Sequence, residues 1–122
     1  MTIRKLTENG VLVALVEDEG KLITGPQEAL DLAMTVKYET GAQRLVLPKR
    51  LVAEEFFILS SGMAGEILQK YVNYQIKLAV FLGGSRYTSK PLHDFIYESN
   101  QGRDFFFVET EEEAVRRLTE AI

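Results

Sequence analysis

The sequence has no cysteine and only one histidine. The first absence excludes disulfides and thiolate chemistry and suits a reducing compartment, so a cytoplasmic chain is expected. Together the two argue against a zinc site, whose ligands are chiefly nitrogen and sulfur. No apolar run approaches the roughly 20 residues that span a bilayer, so no membrane association is expected. The opening Met1-Thr2-Ile3-Arg4-Lys5 lacks the apolar segment of a secretory leader. Internal repeats, linkers and low-complexity tracts are missing too. A chain of 122 residues then predicts one α/β domain over 1–122, because two domains would need more. Basic excess is also lacking: the net charge is −4, which speaks against a nucleic-acid partner. Neither a Walker loop nor a dinucleotide fingerprint is present. No catalytic residue, metal ligand or cofactor is assigned on these grounds.

What the chain does have is apolar material. Hydrophobic residues make up 46%, enough for a packed core and too many for disorder. Residues 2–6 and 11–16 are rich in β-branched and apolar side chains. Asn9-Gly10 between them tolerates positive φ, which predicts a hairpin. Val11 to Val16 is almost wholly apolar, as in a strand covered on both faces. Lys21-Leu22-Ile23 is read as a short edge strand or extended chain. Pro26 opens a helix, with Glu28 and Asp31 toward its positive end. Gly41 closes it. Leu45-Val46-Leu47 is a short strand stopped by Pro48, and Ala53–Phe57 is a helical turn.

From Gly62 the pattern is helical. Met63, Ala64, Ile67, Leu68, Tyr71 and Val72 form one stripe. Residues 75–82 are the next strand. Ser89 caps a further helix with Pro91 in its first turn, and Gly102 ends it. Residues 104–108 form the last strand. Thr110-Glu111-Glu112-Glu113 is a capping box for the final helix. Alternation of β and α predicts a mixed, mostly parallel sheet with an N-terminal hairpin and about four helices.

Two resemblances follow. The segments Ala64–Lys70, Asn73-Tyr74, Lys77–Ala79, Tyr87–Lys90 and Asp94–Asn100 resemble a bacterial family of small single-domain proteins of unknown function. That likeness covers nearly the whole chain and implies no chemistry. More loosely, the element order is similar to the STAS architecture of anti-sigma-factor antagonists. That resemblance implies a STAS-like fold, a regulatory role and a phosphorylatable serine before a central helix. Leu59-Ser60-Ser61-Gly62-Met63 matches the motif, with Ser60 at the phosphosite. Leu59 stands where that family has aspartate, and Phe56-Phe57 separate the serines from the preceding strand.

Several residues invite function beside an ordinary structural role. Ser60 is a phosphosite candidate, or Ser60-Ser61 before the helix is a simple N-cap. Gly83, Gly84, Ser85, Arg86, Ser89 and Lys90 follow a strand and precede a helix. There, glycine amides and basic side chains can receive a small anion, or else make only a turn. Glu66, Lys70, Tyr71 and Tyr87 are candidates for an interaction surface. Gly65 costs about 1 kcal/mol against alanine inside a helix, which predicts close approach of another backbone or of a partner. Glu66, His93 and Tyr97 would be the acid–base groups of an enzyme only if they converge. The leading expectation is a non-catalytic regulatory or protein-interaction module; an anion-binding module is second and an enzyme last. Residues 2–6 or 104–108 are expected to form a sheet edge; the apolar 104–108 is either internal or covered, by the final helix within one chain or by a second subunit, and a homodimer is expected.

Overall fold

The computed structural model describes residues 1–86 and 89–121. The Asn-Gly signal makes its hairpin: strand β1 (Thr2–Glu8) pairs antiparallel with β2 (Val11–Glu17) from Glu8↔Val11 to Thr2↔Glu17. Both turn residues have positive φ, 54° at Asn9 and 76° at Gly10, as a two-residue turn matched to strand twist requires. Helix α1 (Pro26–Thr40), β3 (Arg44–Pro48), α2 (Met63–Asn73), β4 (Lys77–Phe81), α3 (Lys90–Gln101), β5 (Phe105–Val108) and α4 (Glu111–Glu120) follow. Three short 3-10 turns lie between β3 and α2. The segment read as a short edge strand contributes only an isolated bridge, Ile23 to Val52.

The sheet runs β1-β2-β3-β4-β5, with β2 to β5 parallel. Strand order equals chain order, so every crossover steps the same way. Right-handed crossovers of that kind put their helices on one face. Alternation along the strands shows it. Ala14, Val16, Leu45, Leu47, Leu78, Val80 and Phe107 share one core with the buried residues of α1 and α2 and Leu92 of α3. Val13, Leu15, Val46, Ala79, Phe106 and Val108 share a second core with Ala114, Val115 and Leu118 of α4. Because both faces are covered, the central strands are apolar at nearly every position.

Local chemistry fixes the helix ends. Thr110 Oγ1 accepts from Glu113 N–H at 3.2 Å, and Ser89 Oγ accepts from Leu92 N–H at 3.4 Å. Gly41 takes the left-handed conformation, φ 81°, that closes α1. Gly102 follows α3 with an ordinary negative φ of −88°, so its freedom is not used there. At the end of α4 the Arg44 guanidinium donates to the carbonyls of Leu118 and Ala121, the latter at 2.7 Å. Those carbonyls have no partner within the helix.

The two sheet edges differ. The Asp104 and Val108 carbonyls accept from β4 and the residue after it, Leu78 N–H and Leu82 N–H. By alternation Phe107 points its peptide outward. There the Asn100 side chain, from α3, donates to the Phe107 carbonyl at 3.0 Å and accepts from its N–H at 2.8 Å. Arg117 donates to the Asn100 carbonyl and stacks on Phe106, 4.5 Å from the ring centroid. The outward Phe107 peptide of β5 is thus satisfied from within the chain, by α3 where the C-terminal helix or a second subunit was expected to cover it. At β1, among the described residues, no backbone outside the hairpin bonds the outer edge.

Candidate functional site

The loop after β4 is shaped by its glycines. Gly83 and Gly84 have φ of 59° and 91°, a region costly for any side chain bearing Cβ. Leu82 N–H bonds Val108 O at 2.8 Å and Gly83 N–H bonds Glu109 O at 3.1 Å, so the loop is tied to the end of β5. Here the chain leaves β4 for one face of the sheet and β5 for the other, the kind of position where open α/β sheets take ligands.

A depression of about 400 Å³ lies beside it, lined by Lys21, Lys49, Arg50, Phe81, Gly83 and Ser85, among others. Its cations have partners in the chain. Lys21 Nζ donates to Val52 O at 3.2 Å, and Lys49 Nζ to Glu54 Oε1 at 2.7 Å. Arg50 pairs with Glu17 and donates to Asp18 O at 2.6 Å. The predicted basic residues lie outside the depression. Arg86 faces solvent, its side chain 75% exposed, with Glu109 at 3.5 Å. Lys90 is held by Asp94 at 2.7 Å; that hydrogen bond and the carboxylate's charge raise its pKa. Ser89 is occupied as the α3 cap. Tyr87 lies outside the described residues.

Ser60 is exposed within the 3-10 turn Leu59–Ser61. It is not the cap of α2. That position is Gly62, left-handed at φ 78°, without a side-chain bond. Ser61 supports the turn: its hydroxyl donates to Glu55 O at 2.7 Å and accepts from Met63 N–H at 3.2 Å. The Phe56-Phe57 pair that interrupts the STAS-like motif is buried, the rings 5.0 Å apart. It anchors the 3-10 turns and moves the serines away from the end of β3.

On α2 the outcome is divided. Tyr71 is fully buried, which corrects its place among surface residues. Its hydroxyl donates to Ala29 O at 2.7 Å, and burial raises its pKa. Glu66 is exposed, Lys70 is half-buried, and among the described residues no ion pair joins them. Gly65 is exposed, and a Cβ there would meet nothing within 4 Å. Among the described residues no backbone outside the helix comes within 4 Å of that position, contrary to one of the two reasons expected for the glycine. Ile58 and Val72, 54% and 46% exposed, lie before and on the same helix.

Glu66, His93 and Tyr97 are exposed residues on two helices, of which α2 packs against α1 and α3 against β5. None of the three lines a main depression. Sequence reasoning missed Asn100, Arg44 and Arg117. It also missed a depression of about 440 Å³ lined by Arg103, Phe106 and Arg117 among others. The one available signal was an amide at the end of an amphipathic helix, five residues before a phenylalanine strand.

A family model described as a domain of unknown function, DUF4180, matches residues 8–118. The chain belongs to this family. No curated protein matches it. No solved structure matches it either. DUF4180 membership brings a fold-length match and no assigned chemistry, so any function rests on the geometry above.

Proposed function

We propose that this DUF4180 domain is a non-catalytic, STAS-like regulatory module that acts by binding another protein in the bacterial cytoplasm. The carrying observation is Gly65, open to solvent in the first turn of α2, where a Cβ would meet none of the described residues within 4 Å. Glycine favours the helix less than alanine, by at most about 1 kcal/mol, and a partner surface resting on the bare backbone accounts for its presence. Exposed Ile58, before the helix, and Val72, two turns further along it, supply apolar side chains for such a surface. Exposed Ser60 supplies a place where a phosphoryl group would add charge to that surface. The absence of cysteine suits a reducing compartment.

The test uses the domain and its Gly65→Arg variant as baits in a native lysate. The space around Gly65 accepts a side chain, so the variant folds. A stoichiometric partner retained by the first and lost by the second is expected, with Ser60→Asp weakening capture. Equal capture by both, or none by either, counts against the reading.

A second reading is an anion-binding module at the depression holding Lys21, Lys49 and Arg50 beside Gly83 and Ser85. Its support is the convergence of three cations on a glycine loop at strand carboxyl ends. Titration with inorganic phosphate should shift the Gly83 and Ser85 amide resonances. Shifts scattered over the surface, or none, would dispose of it.

A further inference from the structure

We infer that β1 is a self-pairing edge: two copies join antiparallel, about a dyad at Leu6, into one continuous sheet. The inference goes beyond the partner-binding reading, which concerns α2.

Hydrogen-bonding parity comes first. The two-residue turn ties the Glu8 carbonyl to the Val11 N–H, so Glu8 points its peptide toward β2. Alternation then directs the peptides of Arg4 and Leu6 inward and those of Ile3, Lys5 and Thr7 outward. The outward groups meet no backbone among the described residues. The strand is seven residues long, enough to be a template for another strand.

Side-chain chemistry then selects the partner. A dyad normal to the sheet pairs residues of equal parity, so only a few registers exist. Centred on Arg4 or on Lys5, like charges face each other and repel. Centred on Leu6, Arg4 faces Glu8 of the second copy, Glu8 faces its Arg4, and Lys5 faces Thr7. Leu6 meets Leu6 at a non-hydrogen-bonded position, where side chains come closest. Leu6 is 38% exposed. It lines a depression with Arg4, Glu8, Leu15, Glu111, Glu112 and Val115, where a second leucine adds apolar contact to Leu6, Leu15 and Val115. Lys5 and Thr7 exchange N–H···O=C bonds with their counterparts, which satisfies the outward peptides. Arg4 already reaches Glu111 at 3.3 Å, and its guanidinium has donors enough for a second carboxylate. The occupant that the charge order of β1 fits is β1 itself.

The experiment is sedimentation equilibrium of the full chain over a concentration series, with amide exchange read by NMR. A monomer–dimer equilibrium is expected, with the Lys5 and Thr7 amides gaining protection as the dimer fills while Ile3 does not. Lys5→Pro removes only an outward N–H, so the hairpin ladder remains, and it abolishes the dimer. Glu8→Arg sets Arg4 against arginine at both symmetric contacts and weakens the dimer by about tenfold. Mixing Glu8→Arg with Arg4→Glu restores it as a heterodimer. A monomer at every concentration overturns the inference, including one that captures a different protein's strand at β1. So does a dimer that survives Lys5→Pro, or one that protects Ile3.

Discussion

At β5 a side-chain amide takes the place of a missing strand; at β1 nothing does. Asn100 gives the outward Phe107 peptide both of its hydrogen bonds. Among the described residues the backbone of β1 pairs only with that of β2. The difference follows composition. β5 is Phe105-Phe106-Phe107-Val108, a segment of the kind that aggregates when exposed, so an open edge there would be a hazard. β1 carries Arg4, Lys5 and Glu8, which discourage casual pairing and leave one favourable register. One edge is closed by geometry and the other is filtered by charge.

The comparison can be broken most severely at Asn100. Asn100→Ala leaves the N–H and C=O of buried Phe107 without partners, at about 1–3 kcal/mol for such a loss. Urea unfolding should show that drop in stability, and light scattering should show association beyond the parent's own, which Lys5→Pro does not remove. Arg117→Ala should cost less, about 1–2 kcal/mol, by removing a charged donor to the Asn100 carbonyl and a cation over Phe106. Its specific signature is faster exchange at the Phe107 amide.

Tyr71→Phe sharpens the comparison as a control. Losing the bond to Ala29 O should cost about 1 kcal/mol while leaving the exchange ratio between the edges unchanged. Its pH dependence has a definite sign. The phenol pKa is raised by burial, so the native state keeps a proton that the unfolded chain releases. The associated stability is complete below the unfolded value of 10.0 and declines as pH rises beyond it. Thermal melts should show that alkaline decline in the parent and a shallower one in Tyr71→Phe. The smallest effect belongs to β1. Lys5→Pro in dilute solution should change monomer stability by less than about 0.5 kcal/mol, because Lys5 N–H faces water.

Much of this architecture is legible in the residues. Asn9-Gly10 announces the hairpin, Pro26 and Ser89 announce helix starts, and apolar strands announce a sheet covered on both faces. Edge management is less legible, because it depends on contacts between elements. Asn100 looks like an ordinary polar residue at a helix end until α3 is laid beside β5. Tyr71 falls on the apolar stripe of α2, yet tyrosine is as common at interfaces as in cores, and only packing against α1 decides. Gly65 reads as a helix cost, but the sequence does not show that none of the described residues comes within 4 Å of a Cβ there. The candidate loop turns at Gly83 and Gly84, as the glycines suggest. Its basic residues are drawn to Glu109 and Asp94, two acids whose proximity depends on local geometry.

At one sheet edge the outward Phe107 peptide is bonded within the chain, and at the other the outward Lys5 and Thr7 peptides are open. Amide hydrogen exchange of the parent chain, at a concentration where it is monomeric, compares Phe107 with Lys5 and Thr7 directly. All three amides point away from neighbouring strands, so sheet bonding contributes to none of them. The account predicts exchange at Phe107 as slow as in the central strands, and exchange at Lys5 and Thr7 close to that of an unstructured peptide. Fast exchange at Phe107, or strong protection of Lys5 and Thr7 in the monomer, would contradict it.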